Sequence, residues 1–103
     1  MAHGRSIDFS YVKAQVKMTD VLRLIDWRPT RLADWVRGPC PVHGGKGTSF
    51  AVNLRLGVWR CHSRCQRGGD ALALYAAVTK QPLYAATIEL CRRLGVETHR
   101  KRA

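Results

Sequence analysis

The feature that most constrains the fold is a set of two short cysteine and histidine motifs in the middle of the chain. Cys40 and His43 are separated by two residues, Cys61 and Cys65 by three, and 17 residues lie between the two pairs. That length suits a hairpin which folds back and brings the pairs together. Structural zinc takes four nitrogen or sulfur ligands in a tetrahedron, commonly from two such pairs. The sequence therefore predicts one structural zinc ion held by Cys40, His43, Cys61 and Cys65.

The second pair leaves one alternative open. His62 and Cys65 are separated by two residues, so His62 is an alternative ligand to Cys61. Cys61 is favoured because a thiolate is the stronger zinc ligand and because Trp59 precedes it at the end of a predicted hairpin. The remaining cysteine, Cys91, falls in the apolar stripe of a predicted helix, so we expect it to be a buried core residue.

The charge balance indicates the kind of partner. The 103 residues include 18 Lys and Arg against 7 Asp and Glu, a formal charge of +11. This excess predicts a polyanion, and hence nucleic acid, as the partner. No apolar run approaches the roughly 20 residues of a transmembrane helix, and residues 1–10 contain no signal-peptide stretch, so we expect a cytoplasmic protein. In that reducing compartment, clustered cysteines favour metal binding over disulfides.

Residues 6–35 predict one helix before the metal motifs. Thr19 is a plausible N-cap, an apolar stripe follows it, and Pro29 ends the helix. The stripe consists of Val21, Leu22, Leu24 and Ile25. Upstream, the apolar residues between Phe9 and Val16 fit either a helical turn or a strand, and periodicity does not decide between them.

The metal motifs lie within a predicted antiparallel sheet. Residues 32–36 predict a first strand that leads into Cys40. Alternating apolar residues at 50–54 predict a second strand, and Gly57 permits a turn into a third, Val58–Cys61.

Two helices are predicted after the sheet. Asp70 follows two glycines and can cap the first helix, residues 80–82 interrupt it, and Gly95 closes the second. The fold class is thus α+β, a small zinc ribbon preceded by one helix and followed by two. We expect a single domain over residues 1–103, with 1–10 and 97–103 as flexible arms.

The sequence resembles the zinc-binding domain of bacterial DnaG-type DNA primases, a Cys-His-Cys-Cys zinc ribbon. The resemblance starts at Gly38-Pro-Cys-Pro-Val-His43, passes Val58-Trp-Arg-Cys61 and Gly68-Gly-Asp70, and continues to the closing helix near Val96. Two departures stand out: three residues, not two, separate Cys61 from Cys65, and Gln66 replaces the family's common glycine.

The resemblance implies a sheet that presents one face to a single-stranded DNA template and helps select where a primer starts. Primases of this type continue into a catalytic domain, and the seven acidic residues here form no paired carboxylate motif. We therefore expect no catalytic residues and no enzyme activity, but an accessory domain in replication or mobile-element DNA processing. Its catalytic partner would lie on another chain, of polymerase, helicase or recombinase type.

The predicted DNA contacts surround the ligands and the hairpin. Cations there can neutralise phosphates, and Trp59 can either stack on a base or belong to the core. The predicted nucleic-acid-binding residues are Lys46, Arg55, Trp59, Arg60, Arg64 and Arg67. The alternative function is a protein-interaction adaptor, which would dock through an apolar patch that includes Trp27 or Trp35 and would lack the steep salt dependence of DNA binding.

Overall fold

Four helices and one four-stranded antiparallel sheet make up the part of the chain that the structure describes. The computed structural model describes residues 7–29, 31–44, 47–62 and 66–99. The elements, in chain order, are α1 Phe9–Gln15, α2 Met18–Leu24, β1 Trp35–Gly38, β2 Phe50–Asn53, β3 Val58–Cys61, β4 Gly68–Gly69, α3 Ala71–Thr79 and α4 Leu83–Leu94. The predicted α+β class is confirmed, as are the β2–β3 hairpin and the two helices after the sheet.

The sheet has one face against the core and one face outward. Its strands follow the order β1-β2-β3-β4, each antiparallel to its neighbour. On the inner face Val36, Val52 and Trp59 lie side by side in register. Phe50, fully buried, packs edge-on against Trp27 with ring centroids 5.1 Å apart. Burial of each large apolar side chain stabilises the fold by roughly 1.5–3 kcal/mol.

A buried asparagine shapes the β2–β3 hairpin. The Asn53 side chain is 2% exposed, and its Oδ1 accepts hydrogen bonds from the backbone N–H groups of Arg55 (3.0 Å) and Leu56 (2.7 Å). Gly57 closes the turn with φ of 73°, a left-handed conformation that glycine adopts without steric cost, and its N–H donates to Asn53 O at 2.9 Å. The turn is therefore held by backbone groups that would otherwise be unpaired.

The helices after the sheet start and stop where the sequence predicts. Asp70 Oδ1 accepts from Ala73 N at 2.9 Å and caps α3. Lys80 ends α3 in the left-handed conformation, and Gly95 ends α4 in the same way. The two helices pack on each other, and α3 also contacts α2 and β3. No helix in the described residues is long and apolar enough to cross a membrane.

The region before the sheet departs from the prediction. Two helices precede the sheet, because Asp8 accepts from Tyr11 N and caps α1 over the stretch that periodicity left open. The second helix starts at Met18 with Lys17 as its N-cap, so Thr19 lies in the first turn and is not the cap. The strand predicted from Leu32 begins three residues later, at Trp35.

The predicted arms are wrong at their inner ends. Ile7 is buried, and Asp8 N donates to Thr98 O at 3.0 Å, which joins the start of α1 to the segment after α4. Residues 1–6 and 100–103 lie outside the described residues.

The short strand β4 was not predicted. It consists of two glycines, which have no side chains to show an alternating pattern. A Cβ on Gly68 would come within 2.8 Å of Trp59 O, so only glycine allows this close pairing with β3.

Candidate metal centre

Three predicted zinc ligands lie together at one end of the sheet. The Cys40, His43 and Cys61 ligand atoms are all within 4.8 Å of one another, and Cys61 Sγ lies 3.7 Å from His43 Nδ1. Cys40 and Cys61 are buried and His43 is half-buried.

The strand register explains why these side chains meet. Gly38 at the end of β1 pairs with Phe50, and Phe50 pairs with Cys61 at the end of β3. Cys40, two residues beyond Gly38, and Cys61 therefore reach the same end of the sheet. We call this end, formed by the row Gly38, Phe50 and Cys61, the metal end.

Two further contacts hold the loops that carry the ligands. Trp27 Nε1 donates to Pro39 O at 2.7 Å, directly before Cys40, and a Cβ on Gly38 would lie 2.8 Å from the Trp27 ring. On the other side, Cys61 N donates to Arg67 O at 2.8 Å. The core thus positions the first ligand segment through the Trp27 indole.

The donor set fits zinc. With Zn–S near 2.3 Å and Zn–N near 2.0 Å, tetrahedral geometry separates a sulfur and a nitrogen ligand by about 3.6 Å, which agrees with the observed 3.7 Å. Cys40 and Cys61 are 1% and 0% exposed. Two buried cysteines beside a histidine are typical of a structural zinc site, in which protein side chains supply all four ligands.

The second ligand pair is described only in part. Cys61 belongs to the ligand group, whereas His62 is exposed and its backbone N–H donates to Ser49 O at 2.8 Å. Cys65 lies outside the described residues, so its role as the fourth ligand stays a prediction. Cys91 is 2% exposed in the core, and burial raises the pKa of its thiol, as expected for a core cysteine.

The structure excludes Trp59 as a stacking surface. This side chain is 3% exposed, its Nε1 donates to Asp70 O at 2.9 Å, and its ring lies 5.8 Å from that of Phe50. The core alternative is correct, because Trp59 lies on the inner face of β3, under α3.

The predicted DNA-binding cations do not all lie together. Arg60 lies on the outward face of the sheet, and Arg67 is exposed near the metal end. Arg55 lies at the opposite end, in the β2–β3 turn, where its Nε is 3.2 Å from Asp34 Oδ2. Lys46 and Arg64 lie outside the described residues.

The sequence reasoning missed two residues on the outward face. Arg37 pairs in register with Ala51, and Ala51 with Arg60, so two arginines flank a small residue across three strands. Beside them Trp35 is 50% exposed. Arg31, Trp35 and Arg37 line an open cleft of about 360 Å³. The alternation of exposed and buried residues within β1 was the available signal, but the strand predicted at residues 32–36 ended before Arg37.

Comparison with known proteins places this site in a family. The family model of the CHC2 zinc finger of DnaG-type primases matches residues 3–103. In structure the chain is similar to the primase of Aquifex aeolicus, solved with its zinc-binding and RNA polymerase domains, with a TM-score of 0.75 and 23% identity. The alignment covers 91% of this chain and 23% of that one, so this chain spans less than a quarter of its neighbour's length. A comparison with curated proteins finds no match.

The family's Cys-His-Cys-Cys signature and the clustered Cys40, His43 and Cys61 agree on one structural zinc ion. The region that matches is the zinc-binding part of a primase and not its catalytic part. The chain therefore belongs to the CHC2 zinc finger family of DnaG-type primases.

Proposed function

We propose that this protein is a zinc-stabilised domain that recognises single-stranded DNA in the cytoplasm and acts with a catalytic partner on another chain. DNA replication and mobile-element DNA processing are the settings in which such a partner would be a polymerase, helicase or recombinase. The observation that carries the proposal is the outward face of the sheet, where Arg37 and Arg60 flank Ala51 beside the exposed Trp35. We call these four residues the outward-face site.

The outward-face site combines the two contacts that a single strand needs. Guanidinium groups neutralise phosphates, and an exposed indole stacks on a base that is not held in a duplex. Arg37 Nε donates to Thr48 O at 3.1 Å, which orients its guanidinium while the other donors stay available. Ala51 between the arginines is 3% exposed, so Arg37, Arg60 and Trp35 supply the contact surface.

Binding of a fluorescein-labelled single-stranded oligonucleotide across a salt series tests the proposal. In the Arg37→Gln/Arg60→Gln variant, affinity should fall. A plot of the logarithm of the association constant against the logarithm of the salt concentration should have a slope shallower by about 1.4, since each lost phosphate contact contributes about 0.7. The Trp35→Leu variant should lose affinity by about 1–3 kcal/mol with the salt slope unchanged, because stacking releases no counterions.

A matched control removes the same charge elsewhere. Lys80→Gln/Arg92→Gln lowers the net charge by two at exposed positions, one at the C-cap of α3 and one on α4. If this control reduces affinity and slope as much as Arg37→Gln/Arg60→Gln, binding follows net charge alone and the outward-face site is wrong. Zinc content, measured for every variant, separates lost contacts from lost folding.

A protein-docking adaptor is the second candidate function. The observation that favours it is a group of exposed apolar side chains at the end of the sheet opposite the metal, including Leu32 and Leu56. A zinc-loaded protein that does not bind the oligonucleotide at low salt would favour the adaptor over DNA recognition.

A further inference from the structure

A cleft lies between the β2–β3 turn and the helices, at the end of the sheet opposite the metal end. Its volume is about 510 Å³, within the range of about 300–1,000 Å³ that is usual for small-ligand sites. Its walls come from α1, the connection to α2, the β2–β3 turn and the start of α3. We call it the turn cleft, and the lining side chains that bear charge or accessible apolar surface are Lys13, Lys17, Leu54, Arg55, Leu56 and Asp70.

Positive charge predominates in the turn cleft. Among the described residues that line it, Lys13, Lys17 and Arg55 are cationic and Asp70 alone is acidic. Lys13 Nζ lies 3.1 Å from Asp70 Oδ2, whereas the described part of the chain offers Lys17 no ion-pair partner. The cleft therefore has an excess of positive charge, and Lys17 is the cation with least to lose on meeting an anion.

Arg55 also keeps donors for a ligand. Its Nε lies 3.2 Å from Asp34 Oδ2, but the two side chains are 66% and 63% exposed, and ion pairs in water contribute little. A guanidinium has five N–H donors in a fixed plane, so the groups that do not face Asp34 can bind an anion. The same charge can thus serve the ion pair and the cleft.

Hydrogen bonds within the protein hold the walls of the turn cleft in place. Asn53 Oδ1 accepts from the backbone N–H groups of Arg55 and Leu56, which fixes the turn. Asp70 caps α3 through Ala73 N and also pairs with Lys13 on α1. A site ordered in this way before binding loses less conformational entropy when a ligand arrives.

Accessible apolar side chains lie beside the cations. Leu56 is 58% exposed and Leu54 is half-buried, and the buried Met18 and Leu72 line the same cleft. A bare inorganic anion would use the cations and leave this apolar surface in water. A ligand that joins phosphates to a flat organic ring would use both.

We propose that the turn cleft binds a nucleoside diphosphate or triphosphate. Lys17 and Arg55 contact the phosphates through charge-assisted hydrogen bonds, and Leu54 and Leu56 contact the base and sugar. Because several chain segments surround the cleft, it fits a ligand of limited length better than a continuous strand. Neither Arg37 nor Arg60 lines it, so the proposal does not depend on DNA recognition by the outward-face site.

Isothermal titration calorimetry of the zinc-loaded full chain with ADP tests the proposal. ADP should bind with one molecule per chain. It should bind more tightly than adenosine, which lacks the phosphates, and more tightly than pyrophosphate, which lacks the base and sugar. Zinc content is measured after each titration, because free nucleotides also bind metal ions.

Two charge variants locate the phosphate contacts. Lys17→Gln/Arg55→Gln should weaken ADP binding about tenfold or more, because both charge-assisted contacts are lost. The matched control, Lys80→Gln/Arg92→Gln, removes the same charge outside the cleft and should bind ADP as the wild type does. All four side chains are exposed, so both variants should keep their zinc and their far-ultraviolet circular dichroism.

An apolar variant locates the base. Leu56→Ser should weaken ADP binding severalfold and leave pyrophosphate binding unchanged, because only ADP has a part that contacts the leucine. Leu83→Ser at the start of α4, where the leucine is 44% exposed, is the control and should affect neither ligand.

The proposal is overturned if ADP does not bind, binds no better than pyrophosphate, or binds equally to the wild type and Lys17→Gln/Arg55→Gln. Displacement of ADP by a saturating single-stranded oligonucleotide also overturns it, because the cleft would then belong to the DNA site. A chain that binds ADP and not the oligonucleotide keeps this proposal and loses the previous one. The reverse result loses this proposal alone.

Discussion

Gln66 is one of three residues other than glycine that have a positive φ in the described part of the chain. It follows the second ligand pair and has φ of 44°, in the left-handed region. The resemblance noted in the sequence leads us to expect glycine there, and glycine adopts this conformation without steric cost. The replacement of that glycine by Gln66 therefore has a conformational consequence.

Replacing Gln66 by glycine should stabilise the zinc-loaded protein slightly. Relief of the left-handed strain contributes about 1–2 kcal/mol, and the greater freedom of glycine in the unfolded chain offsets about 0.5–1 kcal/mol. Urea unfolding with zinc present measures the difference. Gln15→Gly, in the helical conformation of α1, is the control and should destabilise. A loss of stability in Gln66→Gly equal to that control would show that the Gln66 side chain makes a stabilising contact.

At the scale of the elements, a polar network ties α3 to α4. The Tyr75 hydroxyl donates to Glu89 Oε2 at 2.6 Å and accepts from Arg93 Nη1 at 3.0 Å, and Gln81 Nε2 donates to Glu89 Oε1 at 3.0 Å. The hydrogen bonds from Tyr75 and Gln81 lower the pKa of the Glu89 carboxyl, while burial raises the pKa of Tyr75. Apolar packing and a charged network therefore hold the same pair of helices.

The Tyr75→Phe substitution should destabilise the protein by about 1–2 kcal/mol, because it keeps the ring in the core and removes one hydroxyl from two hydrogen bonds. A double-mutant cycle with Glu89→Gln, followed by urea unfolding, measures the coupling. Because the two side chains are in contact, the double variant should lose less than the sum of the single losses. Additive losses would mean that the Tyr75–Glu89 hydrogen bond contributes nothing to stability.

At the scale of the whole molecule, the metal adds a link between segments that the sheet and the core already bring together. Cys40 and His43 follow β1, Cys61 ends β3, and Phe50 lies between them in the buried row. A domain of 103 residues buries a smaller share of its surface than a larger one, so its stability depends more on such a link. Metal binding is therefore part of the folding free energy.

Cys40→Ser and Cys61→Ser should each lose zinc and unfold much of the domain, as chelation of the wild type should. Zinc content, circular dichroism and tryptophan emission report this together, since Trp27 and Trp59 lie in the core beside the site. Cys91→Ala, which alters a core cysteine outside the ligand group, should keep its zinc. A folded, zinc-replete Cys61→Ser protein would instead make His62 the ligand.

The sequence by itself determined the features that depend on neighbouring residues. The cap at Asp70 and the stop at Gly95 are local signals that the structure confirms, and it brings together Cys40, His43 and Cys61, whose spacing predicted a metal site. The family could be inferred for the same reason, since its motifs are short strings with set spacing. Zinc chemistry follows from the residue types before any fold is known.

Only the tertiary structure decided which side of each strand is covered. Side chains alternate between the faces of a sheet, so an error of an odd number of residues in a strand's position exchanges buried and exposed residues. Trp59 became core because α3 covers its face, whereas Trp35 is exposed on the outward face beside Arg37 and Arg60. Arg55 lies in the β2–β3 turn, away from Arg37 and Arg60, and forms an ion pair with Asp34. The spacing of the cysteines and the histidine predicted the metal site. The packing of helices on one face of the sheet decided which surfaces remain exposed to partners.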